Sequence, residues 1–450
     1  MKHNRRPFGG GPHRRPRPHG KGFLHRPRHK PGGFDKGPPR EAPDEGAPPA
    51  PAAPRRNVEI PPGVAVVRLR SASFGAFIYQ RMIDRVDGRA EDGGMVAVLD
   101  KRGEFFGWGF YNSQSQLALR MFSHDAAMPG DAQIGSRIAR AVSLRRSLLR
   151  LDETTDAYRL VHAEGDGLSG LVADRFGEFV VIELFSLAMY RRVQFIQDAI
   201  IDAGLSVESF IVRADKSASE QEGFRTGNLT GIDRKDRTVA ITENGVRFNV
   251  RLASGHKTGF FCDQRENRLA FAGLCGGRNV LDVCCYTGGF SCYAAVRGAA
   301  RGVTAVDLDE VSLETAAQNA QLNSANIDFN HADAFDFLRD AASSGRKWDV
   351  VVLDPSKFVS RREFMDIGLR KYFDLNRLAA GVIAPGGLLL TCSCSGLVDQ
   401  PTFVQTVARA MRAAGRTLQV FRVTGAGPDH PFQADVPESA YLKAVWGRLD

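Results

Sequence analysis

The 450-residue sequence has no uninterrupted apolar run of roughly 18 or more residues, so it offers no candidate helical membrane span. Its first residues carry no apolar core, and export through a signal peptide is not expected. No cysteine precedes position 262, and the seven present (262, 275, 284, 285, 292, 392 and 394) are odd in number and confined to the second half. That distribution does not suit a secreted disulfide framework and predicts reduced thiols in a cytoplasmic protein. A structural zinc needs about four ligands, and no second pair accompanies Cys392 and Cys394 at a suitable spacing, so no metal is expected. Cys-x-Cys is also not the Cys-x-x-Cys redox pattern.

Residues 1–57 have almost no aliphatic side chains. They hold 14 Lys and Arg against 4 Asp and Glu, a balance of +10, so the whole-chain charge of +9 leaves the remainder near neutral at −1. A segment so rich in Pro, Gly, Arg and His cannot bury enough apolar surface to offset its ordering entropy, and a disordered basic tail is expected. An arm attracted to RNA in a salt-dependent way and a solubilising extension are both open readings. Frequent Pro and Gly disfavour the amphipathic helix of a mitochondrial presequence.

Beyond the tail the pattern changes three times. Val64–Leu69, Met95–Leu99, Phe105–Tyr111 and Leu117–Phe122 predict a small β module over 58–130. Residues 131–150 predict an amphipathic helix with a solvated arginine face. Strands at Tyr158–His162, Leu171–Leu184 (broken at Phe176–Glu178), Phe210–Arg213, Val239–Thr242 and Arg247–Leu252 surround helix Arg192–Ala203, predicting an α+β unit over 131–255. From 256 to 450 the alternation is βαβ, with strands at Val280–Cys284, Val303–Val306, Asp328–Asn330, Trp348–Leu353, Gly387–Cys394, Gln419–Val423 and Ala440–Trp446. That is an α/β, doubly wound, Rossmann-like sheet.

Ligands of such sheets lie at the carboxyl ends of the strands. The first strand runs into Tyr286-Thr287-Gly288-Gly289, and nineteen residues past Gly288 the second ends in Asp307, a carboxylate placed for ribose hydroxyls. The turn itself is not a G-x-G-x-x-G pyrophosphate cradle. An adenosyl ligand without phosphates, S-adenosylmethionine, therefore fits better than a nicotinamide dinucleotide. Asp333 and Phe335 after the third strand suit the adenine amine and face, and the glycines suit close approach of the methionine part. The fourth strand ends at Asp354-Pro355-Ser356-Lys357-Phe358 and the fifth at Cys392-Ser393-Cys394. Carbon-5 of cytosine is too electron-poor to attack a sulfonium unaided. A thiolate added at carbon-6 makes it nucleophilic, so a cysteine at this strand end suits that reaction. Cys392 and Cys394 are both candidates, while Cys284, Cys285 and Cys292 read as core residues. The stretch His256–Arg265 precedes the sheet and could close over a ligand, with Asp263 capping the following helix.

Six motifs together resemble the ribosomal RNA large subunit methyltransferase I family. They are HKTGFFCDQR (256–265), YTGGF (286–290), LDPSKF (353–358), SCSG (393–396), PDHP (428–431) with YLK (441–443), and GDGLSGLVADRFG (165–177). The resemblance covers about seven-eighths of the chain. It implies a PUA-like RNA-binding barrel, a central α+β domain and a class I methyltransferase domain forming 5-methylcytosine in large-subunit rRNA. It implies Cys394 as nucleophile, with Cys392 a second candidate. Asp354 is expected to orient the base and to contact the cofactor, with Lys257, Lys357 and Phe358 on the substrate side. One departure stands out: Ser356 replaces the second proline of the family's Asp-Pro-Pro-Lys-Phe, which loosens the loop that positions the base. A guanine nitrogen as target and a non-catalytic assembly factor are the alternatives, and a homodimer is left open.

Overall fold

The computed structural model describes residues 58–70, 75–228, 237–252, 259–434, 436 and 439–450. The basic tail and Lys257 lie outside these residues. The first sheet has β1 (Val66–Leu69), β2 (Phe77–Ile78), β3 (Ile83–Asp87), β4 (Met95–Leu99), β5 (Phe105–Tyr111) and β6 (Leu119–Ser123) in the order β2-β6-β5-β4-β1-β3. Only β1 and β4 pair in parallel. Val67, Val96, Val98 and Leu119 fill its core because alternate residues share a face. The sequence missed β2 and β3: one is two residues long, and the other is the charged run Ile-Asp-Arg-Val-Asp at the sheet edge.

Helix Asp131–Ser143 forms as expected, then widens into a π turn at Leu144–Leu148. Within that turn lies Arg145, which was expected on a solvated face and is instead fully buried. The central sheet is made from β7 (Ala157–His162), β8 (Leu171–Phe176), β9 (Phe179–Leu184) and β10 (Ser209–Arg213), in the order β10-β9-β8-β7. The hairpin β11 (Thr238–Glu243) and β12 (Val246–Arg251) stands beside it. A Gly-x-Gly-x-x-Gly spacing does occur at Gly165–Gly170, but it joins β7 to β8 rather than a strand to a helix. It cannot present a helix N-terminus to a pyrophosphate.

The third sheet has seven strands: β13 (Asn279–Val283), β14 (Gly302–Asp307), β15 (Asp328–His331), β16 (Trp348–Leu353), β17 (Ile383–Ser393), β18 (Leu418–Thr424) and β19 (Lys443–Leu449). Their order is β15-β14-β13-β16-β17-β19-β18. β19 is antiparallel to both neighbours, and the other pairings are parallel. The strand order reverses direction at β13, so the crevice opens above the carboxyl ends of β13 and β16. β19 starts three residues later than the sequence predicts, because Lys443 is the first residue to pair, opposite Ser393. No helix among the described residues is long and apolar enough to cross a membrane.

Candidate active site

The turn after β13 is tightly wound. Cys284, Tyr286 and Gly288 take positive φ values of 64°, 50° and 79°, which reverses the chain before helix Gly289–Val296. Asp307, at the end of β14, fixes this turn by accepting the Tyr286 N–H at 2.8 Å on one oxygen and the Asp309 N–H at 2.9 Å on the other. Each oxygen keeps acceptor capacity for a further donor. The two glycines have structural reasons of their own. A Cβ on Gly288 would come within 3.2 Å of the Ala316 Cβ, and one on Gly289 within 3.1 Å of the Arg268 Cδ. Thr287 is buried, and its carbonyl accepts from Asn319 Nδ2 at 2.9 Å.

Two residues of this strand end were missed or misjudged from the sequence. Asp282 is fully buried, with Oδ2 accepting the Ser291 amide at 3.0 Å and hydroxyl at 2.6 Å. Its Oδ1 has no hydrogen-bond partner among the described residues. Burial pushes this carboxyl up to about 7, with the charges of Asp354 and Asp307 adding to the rise against the Ser291 bonds. The signal was present: a lone carboxylate inside Val280-Leu281-Asp282-Val283. Cys284 is half-buried at the turn, packed against the edge of the core instead of inside it. Burial, then the charges of Asp307, Asp354, Asp282 and Asp333, push its thiol far up, which makes it a poor nucleophile. Cys285 and Cys292 are core residues as expected.

At the third strand end Asp333 caps helix Ala334–Ser343, Oδ1 accepting from Phe335 N at 2.9 Å and Asp336 N at 3.2 Å. Phe335 is half-buried beside it. At the fourth, Asp354 Oδ2 accepts from Gln264 Nε2 at 3.0 Å. Lys357 and Ser356 are exposed, whereas the Phe358 ring packs on Tyr372 at 4.8 Å. Phe358 is therefore held by the core edge and is not a free platform. Asp263 does not cap the next helix: its Oδ2 accepts the Tyr441 hydroxyl at 2.5 Å.

The structure separates the two candidate cysteines. β17 ends at Ser393, so Cys392 is still inside the sheet, fully buried with Val350, Val352, Ala444 and Trp446. Burial and then the charge of Asp354 push its thiol well above the ordinary range. Cys394 lies just past the strand, half-exposed, its Sγ 4.0 Å from the Pro355 carbonyl oxygen. The buried Lys443 ammonium donates to the Ser395 and Tyr441 carbonyls at 2.6 and 2.8 Å, next to Cys394.

A family model described as S-adenosylmethionine-dependent methyltransferase matches residues 226–448, and one described as a PUA-like domain matches 73–124. A protein from Photobacterium profundum named ribosomal RNA large subunit methyltransferase I is 37% identical over 377 residues, 82% of this chain and 93% of its own. Its namesake from Aliivibrio fischeri (strain ATCC 700601 / ES114) is 37% identical over 379 residues, 83% of this chain and 95% of its own. The chain belongs to this methyltransferase family. A solved structure of a proposed SAM-dependent methyltransferase from Streptococcus mutans aligns with a TM-score of 0.72 at 20% identity, covering 85% of this chain and 99% of that one. At that identity the likeness speaks for the fold.

The family's cofactor is S-adenosylmethionine, and the residues fit it. Asp307 and Asp333 at neighbouring strand ends, with acceptor capacity left on Asp307 beside the Tyr286–Gly289 turn, suit ribose hydroxyls and an adenine amine. Two of the family motifs serve another purpose. Asp429 of PDHP is fully buried, bonded to Arg265 at 2.9 and 3.1 Å and to the Arg159 amide at 3.0 Å. Arg145 bonds the Asp429 carbonyl at 2.7 Å and Asp166 of the Gly165-Asp166-Gly167 turn at 2.7 and 2.9 Å. A Cβ on Gly165 would lie 1.9 Å from the Pro431 carbonyl oxygen. These motifs join the central sheet to the methyltransferase sheet, a pairing that no local pattern in the sequence announces.

Proposed function

We propose that this protein methylates carbon-5 of a cytosine in large-subunit rRNA through a covalent adduct on Cys394. The observation that carries this reading is the position of Cys394: half-exposed past β17, against the Asp354-Pro355 loop, while Cys392 is sealed in the sheet. The names of the relatives support the rRNA substrate, and the PUA-like module supports RNA binding.

Bound S-adenosylmethionine supplies an electrophilic methyl on a sulfonium. Asp307 would hold the ribose, Asp333 and Phe335 the adenine, and the Tyr286–Gly289 turn the methionine part. The target base is flipped into the crevice, because its reactive carbons are inaccessible in a stacked helix. Cys394 thiolate forms the bond to carbon-6, and the displaced ring electrons reach N3, which takes a proton and is held by Asp354. Carbon-5 then accepts the methyl and loses its hydrogen as a proton to solvent; as N3 gives its proton back, the restored carbon-5–carbon-6 double bond expels the thiolate. Lys357 is exposed beside the loop and suits an RNA phosphate.

The test uses the full chain, S-adenosylmethionine and rRNA carrying 5-fluorocytosine, which traps the adduct because the fluorine cannot leave as a proton. Wild type and Cys392→Ala should form a denaturant-stable protein–RNA adduct, and Cys394→Ala should form none while still binding cofactor. Adduct formation by Cys394→Ala would move the nucleophile elsewhere. Methylation by a variant lacking both thiols would end the covalent mechanism.

A further inference from the structure

Four side chains connect the far side of the seven-stranded sheet to Asp354 in single file. Trp446 Nε1 donates to Thr424 Oγ1 at 2.8 Å, and Thr424 Oγ1 bonds Asn267 Oδ1 at 2.7 Å. Asn267 Nδ2 bonds Gln264 Oε1 at 2.6 Å, and Gln264 Nε2 bonds Asp354 Oδ2 at 3.0 Å. Trp446, Asn267 and Gln264 are buried, so water does not compete along the file.

The direction of the file is set at Asn267. The Gly425 carbonyl can only accept, and it takes a hydrogen from Asn267 Nδ2 at 3.1 Å, which an amide oxygen could not supply. Asn267 therefore presents its oxygen to Thr424 and its NH₂ to Gln264. The Thr424 hydroxyl then donates to that oxygen while accepting the Trp446 indole N–H. The choice of amide orientation, normally ambiguous, is thereby decided by chemistry. Gln264 is left one option, oxygen toward Asn267 and NH₂ toward Asp354. The same NH₂ donates toward the buried Cys392 sulfur.

We propose that Trp446, Thr424, Asn267 and Gln264 are positioning residues, a one-way relay that presents a fixed donor to Asp354 and orients its carboxylate. That Asp354 then meets the substrate base rests on the function proposed above; the relay itself does not. A donor to the charged form of a carboxyl favours that form. Asp282 and Cys284 from the β13 side and Cys392 from β17 face this carboxyl and feel its charge, and Lys357 lies on the same loop.

The experiment is a titration of Asp354 in the full chain labelled with ¹³C-carboxyl aspartate, the resonance being assigned by its loss in Asp354→Asn. Gln264→Met removes the donor at nearly constant volume and should raise the Asp354 midpoint by about one pH unit. Asn267→Asp reverses the file: Gln264 must turn its NH₂ to the introduced carboxylate and its oxygen to Asp354, so the midpoint should rise further than in Gln264→Met. The double variant has no amide to turn and should return to the Gln264→Met value. A double variant exceeding both singles would mean that the new charge acts through space, and would overturn the relay. An unchanged midpoint in Gln264→Met would overturn it even if Asn267→Asp failed to fold. The acid limb of the methylation pH profile should follow the same order with cofactor affinity unchanged. Wild type that methylates no cytosine would refute the function proposed above, while the titration would still decide the relay.

Discussion

Replacing Asp282 by Asn tests whether the carboxyl inside β13 carries a proton near neutral pH. The group is fully buried, with Ser291 bonding one oxygen and no partner among the described residues for the other. Burial, then the Asp354 charge, raise it from 3.8 to about 7, outweighing the Ser291 bonds. The unfolded chain loses this proton near pH 4, whereas the folded chain keeps it to about pH 7. Between those values the native state binds more protons, so stability must fall as pH rises through the window and level off above it. The full rise corresponds to about 4 kcal/mol, an upper bound, and relaxation around the buried charge makes about 2 kcal/mol a reasonable expectation. In the Asn variant this contribution is absent, while the amide oxygen still accepts both Ser291 bonds. Urea unfolding followed by tryptophan fluorescence, with Trp348 and Trp446 as reporters in this sheet, measures both proteins at each pH. The difference should shift in favour of Asp282→Asn by about 2–4 kcal/mol from acid to alkaline conditions. Parallel stability curves for the two proteins would show that Asp282 is an ordinary ionised carboxylate and would refute the reasoning.

Lys443 is held down to about 8 by burial, with the Cys394 charge acting in the opposite sense, so a cation stands beside the thiol up to that pH. Lys443→Met should raise the pH midpoint of Cys394 alkylation by about one unit, read by peptide mass mapping, and Lys443→Arg should keep it; equal midpoints would reduce Lys443 to a strut. Gly165→Ala would force a methyl into the Pro431 carbonyl and should cost about 3 kcal/mol, seen as a lowered Tm; an unchanged Tm would contradict the docking of that turn. Asp429 is held far below the ordinary carboxylate range by His430 and Arg265, which overcome its burial. Its stabilisation is fully present above pH ~4 and is lost as acid titrates it toward that low value, so Asp429→Asn should cost about 3–5 kcal/mol at pH 7, with a gap that narrows in acid.

What was legible in the sequence was what repeats locally. Met95–Leu99, Phe105–Tyr111 and Trp348–Leu353 were placed to the residue because apolar side chains dominate them on a faithful period. Ile83–Asp87 was not, because an edge strand needs little apolar surface and three of its five residues are charged. The loops after β13, β14 and β16 were legible as loops too, since each follows an apolar run that stops abruptly. Arg145 was misplaced because a periodic pattern cannot show that one arginine of a polar face turns inward to meet partners far along the chain.

Those distant partners converge on one stretch, Gln264–Arg268, which begins inside the His256–Arg265 segment that the sequence offered as a lid. Its side chains point to different parts of the protein. Gln264 reaches Asp354, Arg265 reaches Asp429, and Asn267 reaches Thr424 and Gly425. Arg268 pairs with Glu243 at 2.8 Å through both Nε and Nη2 and lies against Gly289 of the Tyr286–Gly289 turn. Buried charges such as Arg265 and Arg268 are expensive to desolvate and are retained only when fully paired. Their pairs lie 164 and 25 residues away in sequence, beyond any helical or strand period. A motif made of such residues reads in sequence as chemistry, because its charges look available. In the folded chain they fix the Tyr286–Gly289 turn, the Asp354 loop and the central sheet relative to one another. On the function proposed above, the chemistry then falls to the few side chains past the strand ends, Cys394 foremost, whose geometry that framework sets.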